Sequence, residues 1–166
     1  QLRLWSIDNF GDDTVLNPRA GGIFYWDESS GLTTRAVNIS TLAGASDVPT
    51  AVLQTMISDV DKHAIAFGCN PIGSSAIDPL LVRFSDTESI TDWTPTAINQ
   101  AGGVQLSMGS TIIGALRTRQ EILIWTDAGI ISMRFVGAPF VFSFNEVAHG
   151  PSLIGPNAAV NANNSV

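Results

Sequence analysis

The stretch TIIGALRTRQEILIWTDAGIISMRFV, residues 111–136, decides the fold class. It contains three runs rich in β-branched and aromatic residues, at 111–117, 121–126 and 129–136, and the breaks between them are short and polar. Runs of this length and composition, bounded by turn residues, are typical of β-strands. The stretch therefore predicts three successive strands.

The same pattern continues along the chain, where Gly, Pro, Asn and Asp interrupt apolar runs every 8 to 15 residues or so. Residues 51–60 also fit a helix by their apolar spacing, but their β-rich surroundings favour a strand. We predict an all-β fold with these strands: Arg3–Ile7, Thr14–Leu16, Gly22–Trp26, Ala36–Asn38, Val52–Ser58, His63–Gly68, Leu80–Ser85, Gln105–Met108, Thr111–Arg117, Glu121–Thr126, Gly129–Val136 and Val141–Glu146.

A local pattern recurs three times, in which an apolar strand ends in an aromatic residue and an acidic turn. Its aspartates are Asp27, Asp86 and Asp127. The interval from Asp86 to Asp127 fits one four-stranded propeller blade. The interval from Asp27 to Asp86 fits a blade plus the insertion Gly44–Thr50. The pattern predicts about three blade-like units of antiparallel strands, fewer than a closed propeller needs. Either further chain completes the ring, or the architecture is an open sheet or sandwich.

Composition narrows the class of protein. The chain has 166 residues, of which 45% are hydrophobic and 14% charged, so disorder is excluded. Its net charge is −7 and Lys62 is its only lysine, so it lacks the basic face of a nucleic-acid-binding protein. We expect no membrane span or signal peptide. The first residue is Gln1, and we expect residues 1–166 to be a single all-β segment of a longer chain.

Acidic residues provide the first candidates for a functional site. The loop Asp8–Asp13 contains the carboxylates and the glycine of a calcium loop, but lacks the spacing of an EF-hand, so a turn between strands is favoured over an ion site. Glycoside hydrolysis needs two facing carboxylates. The candidates are Asp12, Asp86, Asp92 and Glu121. No spacing brings two of them together, so we interpret them as turn and surface acids.

The histidines and the cysteine do not form a catalytic pattern. His63 and His149 have no Asp, Cys or Ser near them in a recognisable order, so we interpret them as a hydrogen-bonded strand residue and a loop residue. Cys69 ends a β run, where a small buried hydrophobe is the usual role, and a single cysteine excludes an internal disulfide and a Cys-rich metal site.

Glycine and arginine pairs also have structural interpretations. Gly21–Gly22 and Gly102–Gly103 lack the context of a phosphate-binding loop and are predicted to be tight turns. If their stretch is extended, Arg117 and Arg119 share one face, where they could clamp an anion or, as we favour, contact another subunit or the same chain.

Four tryptophans and two glycosylation patterns remain. The tryptophans, at positions 5, 26, 93 and 125, are predicted to cap sheet packing, with a sugar-binding platform as the alternative. The triplets Asn38–Ser40 and Asn163–Ser165 match the glycosylation acceptor pattern, which has meaning only in a secreted protein. We predict no catalytic, cofactor-binding or metal-binding residue, and no enzymatic activity.

Particular strings carry a family resemblance that spans Trp5–Val160. They are WSIDNFGDDTVLNPRAGGIFYWD (5–27), IAFGCNP (65–71), DPLLVRFSDTESITDWTPT (78–96), IIGALRTRQEILIWTD (112–127) and SLIGPNAAV (152–160). This set resembles motifs in tail proteins of short-tailed bacteriophages, of the packaged-DNA stabilisation, tail hub or nozzle class. The resemblance implies propeller-like subunits in a ring, usually sixfold, that holds the packaged genome and passes it at ejection.

The resemblance also implies partners and a location. The chain would be a structural protein of the virion, formed in the host cytoplasm and bound to copies of itself and to other tail proteins, with no small-molecule substrate. Double-stranded DNA would pass without tight binding, which suits an acidic wall. A mean hydropathy of +0.22 predicts poor solubility as a monomer. The alternatives are a propeller-type glycan-binding module or glycosidase, or a generic β-rich scaffold fragment.

Overall fold

A computed structural model of the chain describes residues 3–59 and 61–162. Within them the structure has two short 3₁₀ turns, Glu28–Ser30 and Ile39–Thr41, and twelve strands. The strands are β1 (Trp5–Phe10), β2 (Asp13–Pro18), β3 (Phe24–Trp26), β4 (Val37–Asn38), β5 (Val52–Ile57), β6 (Ala64–Cys69), β7 (Asp78–Phe84), β8 (Gly102–Gln105), β9 (Ile112–Arg117), β10 (Ile122–Thr126), β11 (Gly129–Gly137) and β12 (Val141–His149).

The strands form three four-stranded antiparallel sheets, and in each sheet the strands lie side by side in chain order. Sheet 1 contains β1–β4, sheet 2 contains β5–β8 and sheet 3 contains β9–β12. A meander of four antiparallel strands is the form of a propeller blade. The prediction of an all-β fold made of blade-like antiparallel sheets is confirmed.

Every predicted strand overlaps an observed one. Residues 51–60 contain the strand β5 rather than a helix, as predicted. The poorest match is β8, predicted at Gln105–Met108 and observed at Gly102–Gln105. The prediction that Gly102–Gly103 is a tight turn is wrong because both residues lie within β8. A Cβ on Gly102 would lie 2.9 Å from Cζ of Phe84, so the missing side chain lets the strand pass close to that ring.

The chain divides into two compact units, Gln1–Gln105 (unit 1) and Leu106–Val166 (unit 2). This division is finer than the single segment 1–166 of the sequence interpretation. Unit 1 contains sheets 1 and 2, and unit 2 contains sheet 3. That the segment is part of a longer chain stays a prediction.

Sheets 1 and 2 share one hydrophobic core, to which both sheets and the loop after β7 contribute. Each large side chain that is fully buried there contributes about 1.5–3 kcal/mol to stability relative to its exposed state. The core residues include Val15, Ile23, Ile39, Val52, Ile57, Ala64, Ala66, Ile90 and Trp93.

Sheet 1 also covers the open edge of sheet 2, where β5 would otherwise leave backbone groups unpaired. The hydroxyl of Ser6 accepts a hydrogen bond from the Thr55 amide (3.0 Å), and the Asp8 carboxylate accepts one from the Ile57 amide (2.9 Å). Every second side chain of β1 thus binds every second amide of β5, and β1 and β5 run in the same direction. The turns β1–β2, β3–β4, β5–β6 and β7–β8 therefore all lie at one end of unit 1.

In unit 2 the last two strands are longer than their neighbours. β11 and β12 have nine residues each, whereas β10 has five and pairs with β11 only up to Met133. Residues 134–143 therefore extend past β10 as a two-stranded arm. At the other edge of the sheet, the C-terminal residues cross β9 closely, because a Cβ on Gly114 would lie 2.7 Å from the Pro156 carbonyl oxygen.

The internal repeat is only partly the predicted one. Asp27 and Asp86 both follow the third strand of their sheets, so the interval from Asp27 to Asp86 corresponds to one blade. The insertion Gly44–Thr50 lies between sheets 1 and 2. Asp127 follows the second strand of sheet 3, so the interval from Asp86 to Asp127 does not join equivalent positions. The prediction of a third equivalent turn is wrong, because the same aromatic–Asp pattern follows the third strand in sheets 1 and 2 but the second strand in sheet 3.

Candidate functional site

The acidic loop Asp8–Asp13 is a β-hairpin with the two-residue turn Gly11–Asp12. Its carboxylates have separate partners. Asp8 binds the Ile57 amide, and Asp13 accepts hydrogen bonds from the Tyr25 hydroxyl and from the Glu28 amide (3.0 Å). The prediction of a turn between strands is confirmed, and the two carboxylates hold neighbouring strands.

The four candidate glycosidase carboxylates are distributed over both units. Asp12 lies at the exposed tip of the first hairpin, and Glu121 lies before β10 in unit 2. Asp86 accepts a hydrogen bond from the Gln100 amide (2.8 Å), and Asp92 accepts one from the Ser46 hydroxyl (2.8 Å) and one from the Asn99 side chain (3.1 Å). These aspartates organise the long loop between β7 and β8.

The electrostatics of two of these carboxylates are unsuited to a general acid, which needs a raised pKa. Hydrogen bonds from Ser46 and then Asn99 lower the pKa of Asp92. The Ser132 hydroxyl and the Arg134 guanidinium (2.8 Å) lower the pKa of Glu121. Both groups are therefore ionised near neutral pH.

The histidines have structural partners, as predicted. His63 is buried, with Nδ1 2.8 Å from the Ser85 carbonyl oxygen and its ring edge-on to Phe84. His149 is exposed, with Nε2 3.4 Å from a Glu146 carboxylate oxygen. Their predicted positions differ slightly from the observed ones. His63, predicted in a strand, immediately precedes β6, and His149, predicted in a loop, is the last residue of β12.

Cys69 is fully buried at the end of β6, which confirms its predicted packing role. Burial raises the pKa of its thiol to about 12. The neutral form therefore dominates at physiological pH, and almost no thiolate is present to act as a nucleophile.

We expect Cys69 in the native protein to be unreactive towards a thiol reagent such as DTNB at pH 8, because a raised pKa leaves almost no thiolate at that pH. In guanidinium chloride the thiol regains its ordinary pKa of about 8.5 and should react at once. The control is Ser75→Cys, which adds an exposed thiol to the same chain. Equal native rates at the two positions would contradict the buried placement.

The predicted glycine and arginine pairs have different outcomes. The Gly21 amide donates to the Pro18 carbonyl (2.7 Å), so Gly21 closes a turn formed by Arg19 and Ala20, and it also forms a bridge with Val52. The prediction that Gly21–Gly22 forms the tight turn is therefore only partly right, because the turn lies just before the pair. Arg117 ends β9, whereas Arg119 lies in the exposed turn before β10. The prediction of a shared strand face is wrong because the strand stops between the two arginines.

The tryptophans differ in exposure. Trp93 and Trp125 are buried, and the indole of Trp26 donates to the Thr34 carbonyl (3.0 Å), which agrees with roles in packing. Trp5 is 52% exposed, contrary to that role, because β1 is the edge strand of sheet 1 and directs this residue outward. Burial of Trp93 excludes it as a sugar-stacking platform.

The glycosylation patterns have unequal outcomes. Asn38 is the N-cap of the second 3₁₀ turn, and its side-chain oxygen accepts hydrogen bonds from the Ser40 amide (3.0 Å) and hydroxyl (2.9 Å). The side-chain oxygen of Asn38 thus caps a local turn. The second pattern, Asn163–Ser165, lies outside the described residues.

Sequence reasoning missed the buried polar side chains of unit 1. Arg83 is 4% exposed, and its guanidinium donates to three backbone carbonyls, those of Asp47 (2.6 Å), Asn70 (3.3 Å) and Trp93 (3.3 Å). The guanidinium also lies over the Trp93 ring, 6.0 Å from its centre. Arg83 therefore joins three separate loops to β7.

Two buried asparagines form the repeat that the aromatic–Asp pattern only partly marked. Asn17–Pro18 ends the second strand of sheet 1, and Asn70–Pro71 directly follows the second strand of sheet 2. The Asn17 side chain donates to the Gly21 carbonyl (3.0 Å), and the Asn70 side chain donates to the Ser74 carbonyl (2.7 Å), four residues on in each case. The Asn-Pro dipeptide is the sequence feature that could have indicated this repeat.

Charge is the most uneven property of the chain. Residues 1–105 contain twelve acidic and five basic side chains, whereas residues 106–166 contain three of each, so unit 1 carries the whole net charge of −7. Nine of those twelve acids lie in or directly beside the turns at one end of unit 1, which we call the acidic end. They are Asp12, Asp13, Asp27, Glu28, Asp59, Asp61, Asp86, Glu88 and Asp92.

Hydrogen bonds maintain the charge of the acidic end. Ser29 lowers the pKa of Asp27 through its hydroxyl and amide, and the partners of Asp92 act in the same way. Only Arg35 and Lys62 oppose these carboxylates within the same turns. The acidic end is therefore a strongly negative surface at neutral pH.

No protein-family model matches the chain, and a search of curated proteins returns no match either. Among residues 3–59 and 61–162, no group of three or more His, Cys, Asp or Glu side chains is arranged to hold a metal ion. The part of the chain that the structure describes contains no helix with the length and apolarity to cross a membrane.

Proposed function

We propose that the chain is a structural protein of a bacteriophage virion, a subunit of a tail nozzle or hub ring that retains packaged DNA and passes it at ejection. The observation that carries the proposal is the acidic end of unit 1, which carries nine of the chain's fifteen acidic residues. The blade-like sheets and the motifs over residues 5–160 support it, because both are features of the resembled tail proteins.

An acidic surface suits a wall beside moving DNA. Duplex DNA binds proteins mainly through Lys and Arg, which release the counterions condensed on its phosphates. A surface made of carboxylates gains nothing from that release and repels the duplex instead. DNA can then slide past the wall without being held by it.

The hydrogen bonds of the candidate glycosidase carboxylates support a role without enzymatic activity. Asp86 and Asp92 hold a loop in place, and Glu121 joins the start of β10 to β11 through Ser132 and Arg134. Substitution of these residues would therefore disturb the local structure that their hydrogen bonds hold in place. The function proposed for the chain is therefore mechanical, with copies of itself and other tail proteins as partners.

The test of location is the composition and structure of purified particles. Mass spectrometry of virions is expected to find the chain at a fixed number of copies per particle, and electron cryomicroscopy is expected to place it in a ring at the distal end of the tail. Absence from the particle, or a position on the capsid only, would overturn the proposal.

We expect Asp12→Lys to slow DNA ejection several-fold, because a ring repeats the new cation in every subunit and each one attracts phosphate. Purified protein carrying Asp12→Lys should also bind duplex DNA more tightly than the wild type at low salt, and lose that binding as salt rises. Ejection is measured by dye entry or release from particles, and binding by filter retention.

The matched control is the double variant Ser75→Lys with Ala76→Lys. It changes the net charge by the same two units in the exposed β6–β7 turn, at the opposite end of unit 1. Ejection at the wild-type rate is expected for this control. Tight duplex binding by the wild-type protein at physiological salt would contradict the role of the acidic end.

A further inference from the structure

Sheet 1 exposes an apolar face. Trp5 and Ile7 of β1 are 52% and 63% exposed, and the register places Leu16 of β2 beside Ile7 and Phe24 of β3 beside Leu16. We call these four residues the outer face. The alternation of β1 explains it, because Ser6 and Asp8 point towards sheet 2 and so turn their neighbours the other way.

An outward sheet face in an antiparallel protein is normally polar. Here two large apolar residues stand in adjacent outward positions of an edge strand, with further apolar side chains beside them. Contiguous apolar surface of this kind marks an interaction site more often than a solvated surface.

The arm of unit 2, residues 134–143, carries a second exposed apolar surface. Val136 is 53% exposed and Phe140, at the tip, is 78% exposed. A two-stranded ribbon gains little stability by itself in water. An apolar tip on such a ribbon is suited to insertion against another surface.

The two surfaces have opposite charges around them. All three basic residues of unit 2, Arg117, Arg119 and Arg134, lie at the arm end of sheet 3, since Ile122 pairs with both Arg117 and Met133. Glu121 is the acidic residue among them. One end of the outer face, in contrast, lies at the turns that carry Asp12, Asp27 and Glu28, while Arg3 lies near the other end.

We propose that the arm of one copy docks on the outer face of a second copy, so that the chain assembles head to tail. This inference rests on the proposed ring and names the two surfaces that build it. Pairing of two outer faces would bring acidic turns together, and pairing of two arms would bring arginines together, which like charge opposes. Only the pairing of arm with outer face joins apolar surfaces and opposite charges at once.

A contact between two different surfaces leaves one of each unused in every dimer. Such a heterologous contact continues until a ring closes, or grows into an open filament. The same contact is therefore expected to give assemblies larger than a dimer. An isologous contact would stop at two copies.

The test uses two variants, each of which blocks one surface. Phe140→Asp places a carboxylate on the arm tip, and Ile7→Lys places a cation on the outer face, so that each meets like charge on its intended partner. Sedimentation velocity between about 1 and 100 μM, the range of weak interfaces, is expected to show assemblies larger than a dimer for the wild type. Each variant alone should associate at least about tenfold more weakly.

The decisive sample is an equimolar mixture of the two variants. The Ile7→Lys chain keeps a good arm and the Phe140→Asp chain keeps a good outer face, so the mixture is expected to form a one-to-one heterodimer and nothing larger. Circular dichroism checks that both variants are folded. If either is not, Val136→Asp replaces the arm variant and Trp5→Lys replaces the face variant.

Three results would overturn the inference: a wild type that stays monomeric at all concentrations, variants that associate like the wild type, and dimerisation of one variant alone. The proposed function fails separately. A ring found in the tail with other surfaces in contact would overturn only the inference, and head-to-tail assembly of a protein absent from the virion would overturn only the function.

Discussion

Replacement of Arg83 with Ala is expected to destabilise unit 1 by about 3–5 kcal/mol. The substitution removes the guanidinium that serves the carbonyls of Asp47, Asn70 and Trp93, and the buried bonds to Asn70 and Trp93 are lost without a replacement donor. An unsatisfied buried polar group costs about 1–3 kcal/mol, and the cavity left by the long side chain adds to it. We expect the midpoint of thermal unfolding, followed by circular dichroism, to fall by at least about 10 °C.

The matched control for Arg83→Ala is Arg35→Ala, an exposed arginine in the same unit. Its effect should stay within about 0.5 kcal/mol, as for most surface substitutions. Arg83→Lys tests the geometry, since lysine retains the charge but lacks the planar fork that reaches several carbonyls. We expect a stability between those of the wild type and Arg83→Ala. Equal stability of Arg83→Ala and Arg35→Ala would show that Arg83 does not join the three loops.

The strands of this protein could be predicted because their signal is local. Residues 111–136 contain three β-rich apolar runs of six to eight residues separated by short polar breaks, so β9, β10 and β11 are each predicted from the sequence. The boundary of β8 failed for a physical reason. Gly102 and Gly103 have no side chain to show a period of two, and the ring of Phe84 that explains them lies on another strand.

Arg83 could not be identified from the sequence, because its partners are distant along the chain. In LVRFSD an arginine between Val82 and Phe84 fits a strand with one face in solvent. The carbonyls that bind it belong to residues 47, 70 and 93, and nothing in their local sequence indicates that they converge. Long-range hydrogen bonds of this kind are set by tertiary packing alone.

The exposure of Trp5 has the same origin. Alternation predicts that Trp5 and Ile7 share a face, but not which face of β1 meets the core. The choice depends on β5, whose amides at Thr55 and Ile57 bind Ser6 and Asp8. The sequence therefore indicates an amphipathic strand, and only the packing shows that its apolar side points outward.

Net charge was informative, but its distribution was more so. The value of −7 argued against a nucleic-acid-binding face when it was treated as a property of the whole chain. The meander topology collects nine carboxylates at one end of unit 1, while the basic residues of unit 2 collect around its arm. The same charges thus define two surfaces of opposite sign, the acidic end that we propose lies beside DNA and the basic surroundings of the arm that we propose docks on another copy.

Replacement of Trp93 with Ala is expected to destabilise unit 1 by about 3–5 kcal/mol, the usual cost of truncating a buried aromatic residue. Trp93 is completely buried, and its indole donates to the Ile90 carbonyl (2.8 Å), so the substitution removes core packing and a hydrogen bond together. Chemical denaturation followed by circular dichroism measures the loss. Trp93→Phe, which keeps an aromatic ring but no donor, should lose less.

Trp5→Ala is the matched control, and the comparison separates a packing role from a binding role. Trp5 is half exposed on the outer face, so its removal should cost less than about 1 kcal/mol of stability while weakening the association of copies. A glycan-binding role for Trp93 requires the opposite outcome, in which Trp93→Ala remains as stable as the wild type and loses only ligand. Because the ring is enclosed by the core that sheets 1 and 2 share, any loss of binding in Trp93→Ala should follow its loss of folded protein, and the functional effect of a tryptophan should appear at Trp5.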